Sequence, residues 1–211
     1  MSDIIQGSDA WHQIRLGKVT ASRVADVIAK TKSGWGASRA NYAAQLICER
    51  MTGVAAESFT SAAMAHGTAT EPDARAAYEF RTDADVIAIG FVDHPTIRMS
   101  GASPDGLIGE DGLVEIKCPQ SATHIDTLLG QSVPSKYITQ MQWQMACTGR
   151  AWCDFVSYDP RMPEAMRLFV HRVARDADLI ASLEADVLAF LIEVEKKAAE
   201  LTARYASKKA A

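Results

Sequence analysis

The sequence predicts a mixed α/β fold of the α+β kind, with a central mixed β-sheet flanked by helices and a long C-terminal helix. Short segments that alternate apolar and polar residues, or that are rich in β-branched residues, have the pattern of strands. Over residues 177–205, apolar residues recur every three or four positions, which is the spacing of one helix face. The strand-like segments are 85–92, 96–102, 113–118, 151–158 and 168–173.

Apolar spacing and helix start and stop residues predict several shorter helices. Thr20 is a candidate N-cap residue, and Gly53 is typical of the residue that ends a helix. Pro72 is expected in the first turn of its helix, where a missing N–H group costs least. These helices are expected at about 20–30, 38–52, 70–80, 122–131 and 135–147.

Length and composition favour one domain over residues 1–211, with a flexible arm at about 1–7 and a disordered tail at about 206–211. No apolar run reaches the roughly 18 residues of a membrane-spanning helix, and the amino terminus does not have the pattern of a secretory signal. The four cysteines are too scattered for a metal or disulfide motif, which favours reduced thiols in a cytoplasmic protein.

Charge is distributed unevenly along the chain, although the formal net charge is only −4. Residues 1–50 carry a local charge of +3, residues 51–116 carry −8, and residues 117–211 carry +1. A basic start beside an acidic centre suits a metal-dependent nuclease, because a bound cation reverses the field of the acidic part. Many proteins that never bind nucleic acid share this pattern.

Residues 100–119 contain the densest group of candidate functional side chains. Two clusters of turn-forming residues precede a segment, 113–118, in which apolar and polar residues alternate. Because side chains two positions apart on a strand share a face, Glu115 and Lys117 are expected to point the same way. A hairpin would fold Asp105 back beside them.

Two carboxylates and an amine at one point suit metal-dependent phosphodiester hydrolysis. Carboxylate oxygens are ligands for Mg²⁺, and a nearby lysine can orient or deprotonate water or stabilise charge on phosphorus. Asp105, Glu115 and Lys117 fit the Asp-x(n)-Glu-x-Lys pattern of the PD-(D/E)XK nucleases. The same residues also fit a surface hairpin with a solvated ion pair, and this short pattern alone leaves both interpretations open.

Several longer motifs occur in the order found in a known family. Ser-Pro-Asp-Gly and Glu-Ile-Lys-Cys-Pro surround the candidate residues, and further similar motifs lie on both sides. Together they resemble the lambda exonuclease family of phage and viral recombination nucleases. This resemblance implies a restriction-endonuclease-like PD-(D/E)XK core. The matching segments are 7–17, 20–22, 103–106, 115–119, 137–142 and 158–162.

The resemblance also implies roles for individual residues. Asp105, Glu115 and Lys117 would be catalytic, supported by Glu71. The metal ligands would be Asp105, Glu115 and the backbone carbonyl of Ile116, holding one or two Mg²⁺ ions, with Mn²⁺ as a substitute. The residues expected to contact DNA or its 5′-phosphate are Arg15, Ser22, Lys32, Met64, Ser103 and Gln140.

Three of these expected DNA contacts have simpler structural interpretations when the residues are taken alone. Arg15 suits a surface salt bridge, Met64 suits core filling, and Gln140 suits a helix face turned to solvent.

By resemblance, the activity would be 5′→3′ digestion of one strand of duplex DNA from a phosphorylated end, leaving a 3′ single strand for recombination by strand annealing. The family assembles as a ring-shaped homotrimer and partners with a single-strand annealing recombinase, so a phage or prophage protein in the cytoplasm of a bacterial host is expected. Two alternatives stay open. One is another PD-(D/E)XK nuclease, such as an endonuclease or RecB-like enzyme, and the other is a non-catalytic protein that binds DNA ends.

Overall fold

A computed structural model of the chain describes residues 4–32, 34–56 and 61–206. The start of the predicted arm, 1–3, and the predicted tail at 207–211 lie outside these residues. The helices are α1 (Asp9–Arg15), α2 (Val24–Val27), α3 (Ala37–Thr52), α4 (Ala62–Thr82), α5 (Ser121–Gly130), α6 (Ser135–Thr148) and α7 (Ala177–Ala206). The strands are β1 (Val19–Thr20), β2 (Lys30–Thr31), β3 (Gly34–Trp35), β4 (Val86–Ile87), β5 (Val92–Asp93), β6 (Ser100–Ala102), β7 (Gly106–Ile108), β8 (Gly112–Lys117), β9 (Trp152–Tyr158) and β10 (Leu168–Ala174).

A mixed five-stranded sheet forms the centre of the fold, in the order β10-β9-β8-β7-β4. Neighbouring strands are antiparallel except β8 and β9, which run parallel, so the predicted mixed sheet is confirmed. Gly112 and Trp152 face each other where β8 and β9 begin, and a Cβ atom on Gly112 would lie 2.2 Å from the indole. This close approach accounts for glycine at the start of β8.

The alternation along β8 sends its side chains to opposite faces of the sheet. Val114 and Ile116 lie on the face covered by α4, in a buried cluster with Tyr78. Leu113 packs on the opposite face, which α6 covers, and Glu115 shares that face. The predicted alternation is confirmed, and the strand is buried on both sides, which fixes its register.

Helix α7 confirms the predicted long C-terminal helix. Leu183, Val187 and Phe190 pack against α2 and α3 in an extensive apolar cluster. The predicted apolar stripe continues to Leu201 and Tyr205, but both are exposed because this cluster ends near residue 198. Like every other helix among the described residues, α7 lacks the apolar length needed to cross a bilayer.

Helix α4 begins earlier than the sequence predicts. It spans Ala62–Thr82 instead of 70–80, so Pro72 lies in its interior, and the expectation that this proline occupies the first turn is wrong. Proline removes the hydrogen bond that would reach the Thr68 carbonyl. Packing of Tyr78 in the core stabilises the helix in spite of that loss.

The predicted helix at 20–30 is much shorter in the structure. Thr20 belongs to β1, pairs with β6, and makes no capping hydrogen bond. A 3-10 turn at Ala21–Arg23 leads into the single turn of α2. The buried guanidinium of Arg39 donates to the Val27 carbonyl at 2.5 Å, and this bond helps to end the helix.

The predicted strands at 85–92 and 96–102 are mostly irregular. Only β4 from this region joins the central sheet, whereas β5 and β6 form a separate three-stranded sheet with β1. The imidazole of buried His94 accepts hydrogen bonds from the N–H groups of Thr96 and Ile97 at 3.3 and 3.1 Å. These bonds fold the segment into a turn where the sequence pattern predicts an extended chain.

Candidate active site

Asp105 lies at the start of the β7–β8 hairpin, directly before Gly106. The hairpin register pairs Gly106 with Val114, which brings Asp105 alongside the following residues of β8. Its Oδ2 atom accepts a hydrogen bond from the Ile116 N–H group at 2.7 Å. The hairpin thus brings the Asp105 carboxylate to the strand that carries the other two candidate residues.

The carboxylate of Glu115 is buried and is held by three side chains. Lys117, two residues further along β8, forms an ion pair with Oε1. Nε2 of Gln140 lies 2.6 Å from Oε1, and Nε2 of Gln144 lies 2.5 Å from Oε2. The four-residue spacing predicts that both glutamines share a helix face, but no role for Gln144 is predicted from the sequence.

Burial and the neighbouring charges shift the acid–base properties of this centre. Burial, and after it the charge of Glu115, raises the pKa of Asp105 well above its usual value. Burial alone would lower the pKa of Lys117, but the carboxylates of Glu115 and Asp105 outweigh it and raise that pKa. Lys117 is therefore an ammonium ion in this arrangement, placed between two carboxylates.

Helix α4 adds a carboxylate and a guanidinium to the same centre. Glu71 lines the groove that Asp105 also lines, and its carboxylate lies 3.6 Å from the guanidinium of Arg75. Arg75 also donates a hydrogen bond of 2.7 Å to the Asp105 backbone carbonyl. Arg75 is not identified from the sequence, although it lies four residues after Glu71 and so on the same helix face.

A small cavity of 180 Å³ is lined in part by Gln140, which donates to Glu115, and is termed the Arg15 pocket. The guanidinium of Arg15 stacks on the Trp11 indole, 3.6 Å from the ring centroid. The indole N–H donates a hydrogen bond of 2.9 Å to the Ser103 hydroxyl, which joins α1 to the hairpin. The pocket is lined by Gln6, Trp11, Arg15, Thr20, Ala21, Ser22, Ser103 and Gln140.

Four of the six predicted DNA-contacting residues therefore meet in one cavity. They are Arg15, Ser22, Ser103 and Gln140. Gln6 and Trp11 line the same cavity and are not identified from the sequence, although Trp11 lies in the motif that contains Arg15. The Gln6 amide donates to the Pro104 carbonyl at 2.7 Å, so this residue of the predicted arm contacts the hairpin.

Arg15 supplies the positive charge of the pocket. Within the part of the chain that the structure describes, its guanidinium takes part in no hydrogen bond and no ion pair. Burial lowers its pKa to about 10, against the weaker opposing influence of Tyr42 and Glu49, and it stays a cation at neutral pH. An unpaired guanidinium among hydroxyl and amide groups is suited to bind an oxyanion.

A larger groove of 1160 Å³ continues from the Arg15 pocket toward Asp105. Met64 and Glu71 of α4 form part of its wall. Met64 is 55% exposed, so it lines the groove and does not fill the core. Lys32 lies in the exposed turn between β2 and β3 and lines neither of these two cavities.

The sequence matches a known family over most of its length. Residues 10–151 match the YqaJ-like viral recombinase domain. The chain belongs to this family. Among curated protein sequences, no significant match was found.

Solved structures give a second comparison. One is the alkaline exonuclease LHK-Exo from Laribacter hongkongensis, which shares 52% sequence identity with this chain and superposes with a TM-score of 0.90. The match covers 95% of this chain and 99% of the exonuclease, and a structure of LHK-Exo in complex with dAMP gives the same values. A phage related exonuclease from Haemophilus somnus 129PT shares the fold, with a TM-score of 0.70 at 15% identity, over 87% of this chain and 96% of its own. The chain belongs to the lambda-exonuclease-like family of nucleases, so the resemblance of the motifs is confirmed.

Nucleases of this family are generally dependent on divalent metal ions, and the residues of this site fit such an ion. Asp105 and Glu115 supply hard oxygens, a set that suits Mg²⁺ when water and phosphate complete the coordination. Oε1 of Gln144 is buried and has no hydrogen-bond partner among the described residues, so the side chain that donates to Glu115 still has an acceptor to satisfy. No three His, Cys, Asp or Glu side chains in the described ranges form a ready-made metal cage.

Proposed function

We propose that the protein is a Mg²⁺-dependent 5′→3′ exodeoxyribonuclease that digests one strand of linear double-stranded DNA. It starts at a 5′-phosphorylated end and leaves 3′ single strands for phage-type recombination by strand annealing. One observation carries the proposal: the Arg15 pocket adjoins the carboxylates of the hairpin. Gln140 both lines that pocket and donates a hydrogen bond to Glu115.

The Arg15 pocket suits the phosphate at a strand end. Its polar groups include the guanidinium of Arg15, the hydroxyls of Ser22 and Ser103, and the amide of Gln140, all of which can donate hydrogen bonds. A terminal phosphate carries more charge than an internal phosphodiester, so it gains more from an unpaired guanidinium. Anchoring the end fixes the distance to the bond that is cut, which favours an exonuclease over an endonuclease.

A relative provides independent support for a nucleotide-sized site. The exonuclease from Laribacter hongkongensis, 52% identical over 95% of this chain, forms a complex with dAMP. A nucleoside monophosphate is the product expected of an enzyme that releases nucleotides one at a time from a strand end. We therefore propose that this chain also binds the terminal nucleotide and its phosphate.

The carboxylates of the hairpin are proposed to hold the metal. Asp105, Glu115 and the Ile116 carbonyl would bind one or two Mg²⁺ ions, for which Mn²⁺ can substitute. The bound metal would supply a Lewis acid for the scissile phosphate and lower the pKa of the attacking water. Lys117 orients Glu115 and balances charge at the reacting phosphate, and Glu71 adds a carboxylate at the edge of the centre.

Two residues further from the carboxylates are proposed to handle the duplex. Met64 projects from α4 into the groove, where an apolar side chain can act as a wedge against the terminal base pair. Lys32, in the exposed turn between β2 and β3, would contact the DNA backbone through its charge. Both roles place the duplex so that one strand enters the groove.

The wider assignment rests on the family. We propose that the chain acts as a single nuclease domain, that three copies form a ring, and that the partner is a single-strand annealing recombinase. The match of residues 10–151 to a viral recombinase domain supports the role in recombination. A phage or prophage origin then places the enzyme in the cytoplasm of a bacterial host.

Digestion of five DNA substrates tests the function. Linear duplexes with 5′-phosphate or 5′-hydroxyl ends, each with the label at one or the other strand terminus, and a covalently closed circle are incubated with Mg²⁺ or with EDTA. Metal-dependent loss of one strand from the 5′ side, fastest on the phosphorylated duplex, is the expected result. Cutting of the circle would indicate an endonuclease, and end binding without any cutting would indicate a non-catalytic protein.

A further inference from the structure

The carboxylate of Glu115 holds three hydrogen-bond donors, two of them on the same oxygen. Lys117 and Gln140 both contact Oε1, while Gln144 donates to Oε2. Each carboxylate oxygen offers about two lone-pair sites, so the two donors on Oε1 use its full capacity. One of them has to leave before Oε1 can bind a cation.

Gln140 is the donor that has a second place to bind. Its side chain is only partly buried and lines the Arg15 pocket. Gln144 is fully buried and lines neither the pocket nor the groove. Lys117 is bound to Glu115 by charge, with its Nζ atom 5.4 Å from the centroid of the Tyr137 ring.

We propose that Gln140 couples the two parts of the site. A 5′-terminal phosphate in the Arg15 pocket draws the Gln140 amide away from Glu115 and thereby frees Oε1 for the metal ion. The exchange replaces one hydrogen bond to an anion with another, so it requires little net energy. Lys117 and Gln144 keep the carboxylate in place meanwhile. This inference rests on the proposed function, because it presumes that the pocket receives the 5′-phosphate.

Coupling of this kind works in both directions. Because linkage between two sites is reciprocal, the 5′-phosphate tightens metal binding, and the metal tightens binding of the phosphorylated end. A 5′-hydroxyl end presents no charged acceptor and leaves Gln140 on Glu115. The metal site is then complete only when a phosphorylated strand end occupies the Arg15 pocket. This coupling adds to the dependence on DNA ends that the proposed function predicts.

Titration with Mn²⁺ tests the coupling without any cleavage. The protein is mixed with a short duplex whose first linkage is an uncleavable methylphosphonate and whose end carries 5′-phosphate or 5′-hydroxyl. Free Mn²⁺ is measured by electron paramagnetic resonance, and binding to the duplex alone is subtracted. The wild-type protein should bind Mn²⁺ at least about fivefold more tightly with the phosphorylated duplex than with the hydroxyl duplex.

Two matched substitutions distinguish the role of Gln140 from that of Gln144. In Gln140→Met the phosphate effect should vanish, and Mn²⁺ should bind more tightly than to wild type in the absence of DNA, because Oε1 has lost a competing donor. In Gln144→Met the phosphate effect should persist. Gln140→Asn, one methylene shorter, provides a second variant in case the methionine substitution impairs folding, and it too should lose the effect. A phosphate effect that survives in both Gln140 variants overturns the proposal.

Failure of the coupling can be told apart from failure of the proposed function. Fluorescence anisotropy gives the affinity of wild-type protein for the two duplexes. Tighter binding of the phosphorylated duplex, with Mn²⁺ affinity unchanged between them, overturns the coupling and leaves the nuclease assignment intact. Equal binding of the two duplexes, together with equal digestion of their cleavable forms, overturns the Arg15 pocket and the coupling with it.

Discussion

The hairpin that carries the carboxylates and the pocket beside it are built in different ways. Strands β7, β8 and β9 pair along a continuous sheet, and β8 is buried on both faces. The Arg15 pocket is assembled from short elements that are joined through side chains, such as the Trp11–Ser103 hydrogen bond and the Arg15–Trp11 stack. Backbone register therefore places the groups proposed to react, whereas individual side chains place the groups proposed to receive the strand end.

This difference predicts different consequences of mutation in the two regions. A change of charge in the hairpin leaves the sheet pairing intact and should affect the chemical step. A change in the pocket should affect which DNA ends are used and how the end is positioned. Kinetic measurements separate these effects, because losses confined to the transition state lower kcat and kcat/KM together.

The largest effect is expected from Glu115→Gln. The amide preserves the size of the side chain but removes its charge, so metal binding and charge stabilisation are lost and the cleavage rate should fall by at least about 10²-fold. Single-turnover digestion of the 5′-phosphorylated linear duplex measures the loss. Circular dichroism of the folded variant and DNA-end binding in EDTA serve as controls and should change little. Cleavage near the wild-type rate would remove Glu115 from catalysis.

A smaller and selective effect is expected from Arg15→Met. Loss of charge-assisted hydrogen bonds to a terminal phosphate should slow digestion of the phosphorylated duplex by about 10- to 100-fold. Digestion of the 5′-hydroxyl duplex should hardly change. Arg204→Met, which removes an exposed guanidinium paired with Glu200 on α7, is the matched control. Equal loss on both duplexes would mean that Arg15 does not read the phosphate.

The connection between α4 and the sheet can be tested with Tyr78→Phe. The Tyr78 hydroxyl donates to the buried Asp154 carboxylate at 2.8 Å, and Arg172 donates two further bonds to it. Loss of a hydrogen bond to a charged group should lower the free energy of unfolding by about 1.5–3 kcal/mol in urea titrations. Tyr137→Phe is the control, since the Tyr137 hydroxyl makes no hydrogen bond within the described residues. Similar losses in the two variants would show that the Asp154 bond contributes nothing specific.

The smallest effect concerns acid stability at Asp159. Burial alone would raise its pKa, but hydrogen bonds from Arg161 and Ser121 outweigh burial and lower the pKa to about 2. Because the unfolded value is near 4, Asp159 stabilises the fold above about pH 4, and this contribution is lost as the pH falls through about 2. Asp159→Asn should melt at a lower temperature than wild type at neutral pH, with the gap closing across that interval. A difference in melting temperature that stays constant with pH would contradict the lowered pKa of Asp159.

Sequence periodicity predicted those elements that bury an apolar face of their own. Helices α3 and α6 and strand β9 lie within one or two residues of their expected bounds, because each repeats its apolar positions over several turns or residues. The same reasoning placed Glu115 and Lys117 on one face of β8. Strands β4, β5 and β6 have two or three residues each, too few for a period to appear.

The Arg15 pocket could not be derived from local pattern. Arg15 and Ser103 are far apart in sequence, and only the fold brings them into one cavity, so their association came from the resemblance of whole motifs. Gln144 lies four residues after Gln140, and Arg75 lies four residues after Glu71. Their contacts nevertheless depend on α6 and α4 covering particular faces of the sheet, which a single sequence does not specify.

Helix α4 is anchored near its C-terminal end. Its C-terminal end is clamped where Tyr78 binds Asp154 and Arg81 donates to the Leu168 carbonyl at 2.7 Å, whereas Met64 projects into the open groove near the other end. At about 1.5 Å per residue, roughly 21 Å of helix separates Met64 from Tyr78, and a tilt of about 5° at the clamp would carry the methionine by about 2 Å. The stiffness of this buried anchorage would therefore set how accurately Met64, as the proposed wedge, meets a duplex end.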